Sequence, residues 1–335
     1  MIWNNVELFN VEAIETKPNG SIRLLRFPKA VMNVFGKENN KYAIEVGRMT
    51  TGCEIRFVCE DADVFVTAED AEGTVEIFRG DFLVKTQRLQ PGISTRLALR
   101  SNLNVDKFDL SGVSTNFDTH VWRVVFDHDF CDVLDDVRPF GAIRPPMPSE
   151  VPAKKIIGYG SSITHGACAG FFTNSYIAHT AKHLSADVLC KGMGGSCFCE
   201  SAVAEFLPQA DWDLAVLELA VNVLGNFPVE VFKERAKKVV ACALQKGKPV
   251  VVISHFTHIK DLPGAENAEV NDAYIAALQQ VCEELKCENL YYINGRELVD
   301  DVTYLTADLI HPSLFGHNMI GRRLAGIIRN EFGLL

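Results

Sequence analysis

Lys154-Lys155-Ile156-Ile157-Gly158-Tyr159-Gly160-Ser161-Ser162-Ile163-Thr164-His165-Gly166 is a short apolar run that stops abruptly in glycines and hydroxyls. Ile156 and Ile157 predict a buried core strand. Gly158 and Gly160, with no Cβ, predict a sharp turn that lifts a small side chain clear of the sheet edge. A helical pattern begins beyond it, so the hydroxyls would sit near a helix N-terminus, where free N–H groups stabilise developing negative charge. The stretch therefore reads as a strand running into a catalytic serine. An ordinary strand-to-helix turn with capping serines fits the same residues equally well.

Three glycine motifs fail on this stretch. A P-loop needs a lysine that Ser161-Ser162-Ile163-Thr164-His165-Gly166 lacks. The dinucleotide fingerprint starts at Gly158 and Gly160 but meets Ile163 where its third glycine belongs. The nucleophile elbow centred on Ser162 has Thr164 in place of its last glycine.

Outward from this stretch, strands and helices alternate to the C-terminus. Apolar runs at Val188-Leu189-Cys190, Leu214-Ala215-Val216-Leu217, Pro249-Val250-Val251-Val252-Ile253 and Leu290-Tyr291-Tyr292-Ile293 each precede a polar loop. A helix is predicted around Ala265–Leu285, with Val270, Ala273, Tyr274, Ala277, Leu278, Val281, Cys282 and Leu285 on one face. Repeated strand–helix units imply a parallel sheet covered by helices on both faces, with ligands gathering at the carboxyl ends of its strands.

Toward the amino terminus the pattern is different. Up to about Asp129, short alternating runs recur between turn signals: Tyr42–Val46, Cys53–Val58, Val64–Thr67, Thr74–Phe78 and Val121–Trp122-Arg123-Val124-Val125-Phe126. Gly80-Asp81 predicts a hairpin into Phe82-Leu83-Val84, and Gln90-Pro91-Gly92 another turn. These features imply an all-β sandwich or jelly roll over residues 1–137. Pro139, Pro145, Pro146, Pro148 and Pro152 then mark residues 138–153 as a linker, leaving 154–335 as the second domain.

The 335 residues, 47% of them hydrophobic, suffice for two cores. A net charge of −10 with no Lys/Arg cluster excludes general nucleic-acid binding. No segment approaches a membrane span, and the start Met1-Ile2-Trp3-Asn4-Asn5-Val6-Glu7 lacks a leader pattern, so a cytoplasmic location is expected. Ten scattered cysteines read as reduced thiols. A zinc site on Cys197-Phe198-Cys199 or on His255 and His258 is weighed and set aside, because neither pair has the spacing of a recognised motif.

Three further places supply what a serine hydrolase needs, each past a predicted strand. In Asp308-Leu309-Ile310-His311 a carboxylate stands three residues before a histidine that it could orient. Lys191-Gly192-Met193-Gly194-Gly195-Ser196 offers backbone N–H groups, and Leu217-Glu218-Leu219-Ala220-Val221-Asn222 ends in an amide donor. Singly, each also has a structural reading as a loop brace, a connector or a turn. His165 and His317 are rival bases: the first is too near Ser162 along the chain, and the second falls inside the predicted last helix.

With these blocks in this order, the chain resembles the SGNH, or GDSL-like, hydrolase family over roughly residues 154–332. Gly160-Ser161-Ser162 matches the family's Gly-Asp-Ser with Ser161 replacing the aspartate. Asn222 alone survives of its Gly-x-Asn-Asp block, and Asp308 and His311 match Asp-x-x-His. The resemblance implies a three-layer αβα fold, Ser162 as nucleophile, His311 as base, Asp308 as its orienting acid, and an oxyanion hole of Ser162, Gly195 and Asn222. It implies a serine esterase that works through an acyl-enzyme, with no metal or organic cofactor; the lack of a long apolar lid segment in the sequence points to a small acyl group such as acetyl. The preceding β domain resembles the arrangement of some carbohydrate esterases, so the substrate could be an ester on a sugar. The alternatives are an acyltransferase using the same site and an inactive glycan-binding protein.

Overall fold

The computed structural model describes residues 1–37, 40–110, 112–128, 130–265 and 268–334. The chain forms two compact units. One comprises Met1–Lys29 and Gly47–Ala153, the other Ala30–Val46 and Lys154–Leu335.

The first unit begins with β1 (Ile2–Trp3), β2 (Val6–Phe9), β3 (Ala13–Thr16) and β4 (Ile22–Leu25). Between β4 and β5 the chain leaves this unit over Ala30–Val46, which belongs to the second unit and carries most of two short helices, α1 (Lys29–Met32) and α2 (Ala43–Arg48); β5 (Glu54–Val58), β6 (Ala62–Ala68) and β7 (Gly73–Arg79) follow. The series ends with β8 (Phe82–Leu89), β9 (Thr95–Leu99), β10 (Val121–Phe126) and β11 (Asp132–Pro139). They pair antiparallel into a six-stranded sheet, β1-β2-β5-β10-β7-β8, and a five-stranded sheet, β3-β4-β11-β6-β9. Alternation puts Ile55, Phe57, Val75, Ile77, Trp122 and Val124 of one sheet into the same core as Leu24, Val64, Val66, Leu97 and Leu134 of the other. That shared apolar layer makes this unit a β-sandwich.

Two expectations for this half are corrected. Tyr42–Val46 alternates like a strand but turns at Tyr42 into α2, which holds the rest of it; the buried residues, Ala43 and Val46, are three apart while Tyr42 and Ile44 are exposed. The proline-rich stretch is tied to the sandwich: β11 enters it, Arg144 bridges to Val58, and the Arg144 guanidinium pairs with Glu150 at 2.7 Å. Asp129, the expected end of the all-β region, lies outside the described residues.

The second unit is a parallel five-stranded sheet in the order β13-β12-β14-β15-β16. Its strands are β12 (Lys154–Gly160), β13 (Ala186–Gly192), β14 (Leu214–Glu218), β15 (Val250–Ile253) and β16 (Leu290–Ile293). The helices are α3 (Ser162–His165), α4 (Tyr176–His183), α5 (Ser201–Phe206), α6 (Val229–Leu244), α7 (Ala268–Glu284) and α8 (Leu314–Gly326). The strands are near-continuous apolar runs, as burial on both faces requires. The chain order reverses beside β12, so the crevice beyond its carboxyl end is the natural ligand position.

The predicted helix around 265–285 is α7, with residues 266 and 267 outside the described set. Its buried face starts with Asn271, Tyr274 and Ile275, and Ala273 is exposed. The first turn is rotated because Asn271 is held in the interior by hydrogen bonds to His258 and Asp261.

Candidate active site

Gly158 and Gly160 do not make a turn. Both lie inside β12, opposite Cys190 and Gly192, and neither has a positive φ. Space explains them: a Cβ on Gly158 would come within 2.8 Å of Ile177, and one on Gly160 would collide with Thr164 Oγ1 and come within 2.7 Å of the Glu218 carboxylate. The chain reverses one residue later. Ser161 caps α3, its Oγ accepting from Ile163 N–H, and Gly166 closes the helix at φ 105°. With four residues this helix has a small dipole, so the useful donor is the backbone N–H of Ser162 itself rather than a summed field.

Ser162 and His311 are 149 positions apart and meet: Ser162 Oγ lies 2.8 Å from His311 Nε2. His311 Nδ1 lies 2.6 Å from Asp308 Oδ2. The other carboxylate oxygen accepts from Thr306 Oγ1 (2.7 Å), Ile310 N–H (2.8 Å) and His311 N–H (3.0 Å). Partial desolvation would raise the Asp308 carboxyl, but the hydrogen bonds from His311, Ile310 and Thr306 outweigh it and hold it well below the usual carboxylate range. An ionised acid on Nδ1 fixes the tautomer that leaves Nε2 a lone pair for the serine proton. Leu309, at φ 56°, bends the backbone so that both groups of the Asp-x-x-His loop converge.

One rival histidine is held elsewhere. His317 is buried in α8, its Nδ1 accepting from Tyr176 N–H and its Nε2 donating to Ala167 carbonyl oxygen. His165 is buried against the glycine loop, its Nδ1 3.2 Å from where a Cβ on Gly194 would stand.

The glycine block is a turn over Met193–Ser196, closed by Ser196 N–H to Met193 carbonyl oxygen. Gly195 occupies its left-handed position at φ 62°. Gly194 approaches the serine more closely, since a Cβ there would lie 3.8 Å from Ser162 Cβ. Among the described residues the N–H groups of Ser162, Gly194 and Gly195 have no protein acceptor. Asn222 Oδ1 accepts from Cys197 N–H at 3.1 Å, which couples its loop to the glycine turn and leaves its Nδ2 without a protein acceptor among the described residues. Ala220, where the family has glycine, nevertheless adopts φ 107°, so the glycine-like backbone persists with an alanine in it.

Three neighbours of the site escaped the sequence reading. Glu218, fully buried at the end of β14, accepts through Oε2 from Ser161 N–H (2.8 Å), Ser161 Oγ (2.6 Å) and Thr164 Oγ1 (3.1 Å). Burial pushes its carboxyl up to about 7, with the hydrogen bonds from Ser161 and Thr164 offsetting part of the rise. The carboxylate missing at position 161 is thus present beside it, supplied by another strand. The available signal was a single acid inside Leu214-Ala215-Val216-Leu217-Glu218-Leu219. Tyr42 lies against the glycine turn, its ring 3.8 Å from where a Cβ on Gly195 would be. Asn40, on the same excursion, donates to Ser196 carbonyl oxygen at 2.9 Å.

All ten cysteines are free thiols, and the described residues contain no helix long and apolar enough to cross a membrane. Cys197 and Cys199 do not join His255 and His258 in a common cluster among the described residues.

A serine–histidine–aspartate relay at the carboxyl edge of a parallel αβα sheet defines the class of site. The chain belongs to the GDSL-like lipase/acylhydrolase family, whose model matches residues 153–329. No curated protein matches the sequence. Solved structures share the fold at low identity. The salicylyl-acyltransferase SsfX3 from a tetracycline biosynthetic pathway is 14% identical with a TM-score of 0.79, over 99% of this chain and 96% of that one. A protein from Bacteroides ovatus described as a GDSL-like lipase is 18% identical with a TM-score of 0.71, over 99% and 97%. A family two carbohydrate esterase from Cellvibrio japonicus is 13% identical with a TM-score of 0.64, over 98% and 96%.

Proposed function

We propose that the protein is a serine esterase that removes a small acyl group, acetyl in the first instance, from a carbohydrate ester. The observation that carries this reading is the unbroken hydrogen-bonded chain from Ser162 through His311 to Asp308. As Ser162 Oγ bonds to the ester carbonyl carbon, His311 Nε2 takes its proton, and Asp308 balances the imidazolium. The N–H groups of Ser162 and Gly195 and the Nδ2 of Asn222 receive the oxyanion, with Gly194 N–H in the same turn. Collapse expels the alcohol, which takes the proton back from His311. Water then attacks the acyl-serine, giving its proton to His311, and the acid leaves as Ser162 is reprotonated.

The sugar part of the substrate rests on the carbohydrate esterase that shares both units of the fold and on the exposed Leu314 and Phe315 just past His311, which suit the apolar face of a sugar ring. Ten free thiols, including exposed Cys168 and Cys287, accord with a reducing, cytoplasmic location as part of the same proposal. Labelling with a fluorophosphonate probe, located by mass spectrometry, tests the reading. Ser162 should carry the label, and His311→Ala should abolish it; a folded wild type that stays unlabelled defeats the proposal. Acetyl esters of xylo-oligosaccharides, compared with longer acyl chains, test the substrate.

The similarity to an acyltransferase over nearly the whole of both chains favours a second reading, transfer of the acyl group to an alcohol. Acyl transfer to an added sugar in excess of hydrolysis would establish it. An inactive glycan-binding protein fits the intact relay less well.

A further inference from the structure

Beyond β15 the chain runs Ser254-His255-Phe256-Thr257-His258-Ile259-Lys260-Asp261. His255 is fully buried, and among the described residues neither of its ring nitrogens has a hydrogen-bond partner. A neutral imidazole carries one donor and one lone pair, and leaving both unmet in an interior is costly enough to require an explanation. Its ring stands edge-on to His258, centroids 4.9 Å apart at 76°. One ligand atom each from His255, His258 and Asp261 lie within 4.8 Å of one another. A second unmet group adjoins them: the buried Oδ1 of Asn271, whose Nδ2 is 3.1 Å from His258 Nε2 and 2.8 Å from Asp261 Oδ1.

We propose that His255, His258 and Asp261 form a zinc site that braces the loop hydrogen-bonded to the Asp308–His311 turn. Two imidazoles and one carboxylate are a donor set for zinc rather than for calcium or magnesium, which take oxygen ligands. Ligands around one tetrahedral zinc stand roughly 3.4 Å apart, given bonds of about 2.1 Å, so small side-chain rotations close the observed spacing. The carboxylate is already oriented. Its Oδ2 accepts from His258 N–H at 2.9 Å, and Oδ1 pairs with Arg296 and Asn271, leaving a lone pair for an ion. A water supplies the fourth position, and ion binding replaces the hydrogen bond that His258 Nε2 accepts from Asn271 Nδ2. The link to the active site is direct: Ile259 N–H donates to Leu309 carbonyl oxygen at 2.6 Å, between Asp308 and His311, and Thr257 Oγ1 donates to Val299 carbonyl oxygen at 2.6 Å. The ion holds a loop, takes no part in ester cleavage, and would bind equally to an enzyme without activity.

The test uses the full chain without a histidine tag. Elemental analysis of the purified protein should find about one zinc per chain. Metal-stripped protein should bind zinc in competition with a chromophoric chelator, and its melting temperature should rise on zinc addition. His258→Ala and Asp261→Asn should weaken zinc binding by about 100-fold or more. His311→Ala should leave it unchanged, which separates this site from the exposed group Cys168, Asp308 and His311, whose ligand atoms are equally close together. Cobalt substituted for zinc should give a tetrahedral visible spectrum without a sulfur charge-transfer band. Three results overturn the proposal: zinc lost in His311→Ala but kept by Asp261→Asn, a cobalt–sulfur band, or a wild type that neither contains zinc nor is stabilised by it. The last result would assign the buried nitrogens to an ordered water. It is read on the wild type, so it holds even where a variant fails to fold.

Discussion

Replacing Glu218 by glutamine should make the protein less stable in mild acid and leave it nearly unchanged in mild base. In the folded chain the buried carboxyl is raised from 4.5 to about 7, a difference corresponding to about 3 kcal/mol. A raised acid stabilises the fold below its unfolded value, near 4.5, and loses that contribution as the pH climbs through about 7. Linkage puts about 2.5 kcal/mol of this loss between pH 5 and pH 8.5. A glutamine does not titrate, so its penalty relative to wild type should shrink by that amount over the same interval. At pH 5 the penalty is that of an amide NH2 standing where Oε1 already lacks a partner, about 1–3 kcal/mol. Urea unfolding at both pH values, followed by tryptophan fluorescence with buried Trp212 reporting on this unit, measures the double difference. Asp132, also raised by burial to about 7, titrates identically in both proteins and cancels. The same penalty at pH 5 and pH 8.5 would refute the reasoning, since it would mean that Glu218 is ionised in the folded state throughout.

The relay and the oxyanion donors give separate signatures. Asp308→Asn should lower kcat by about 10⁴ while Ser162 remains in place, because an amide no longer fixes the imidazole tautomer; steady-state kinetics and circular dichroism check this. With Asp308 held well below the ordinary carboxylate range, its titration should leave no inflection near pH 4 in the kcat/KM profile of the wild type, and an inflection there would contradict the hydrogen bonding around Oδ1. Asn222→Ala should cost about 3–4 kcal/mol in the barrier, seen in kcat with little change in KM. Ala220→Gly should stabilise the protein by about 1 kcal/mol in thermal or urea unfolding, since it relieves an alanine held at φ 107°, net of the entropy of an added glycine.

Much of this was legible because it is local. Val250–Ile253, read as a buried strand, is β15, and the Gly80-Asp81 signal does join β7 to β8. The run ending at Gly160, the glycine turn, Asn222 and the Asp308-x-x-His311 loop each keep their chemistry within a few residues, so spacing alone could place them past strands of a parallel sheet. Features that depend on the other side of a contact were misread. Tyr42–Val46 alternates as a strand does, and only the neighbours of Ala43 and Val46 decide for a helix. Gly158 and Gly160 looked like hinges, yet Ile177 and Glu218, distant in sequence, help to exclude a side chain there, together with the nearby Thr164.

By itself the sequence determined the two kinds of architecture, the strand succession and the residue types available for acyl transfer, because hydrophobic period and turn chemistry act over short stretches. Tertiary structure alone decided the 2.8 Å contact by which Ser162 meets His311 across 149 positions, that Glu218 fills the place next to Ser161, and that His255, His258 and Asp261 converge in the interior. These outcomes depend on how close strands and loops come in space and on how much water is excluded between them, and neither quantity is written in the order of residues along the chain.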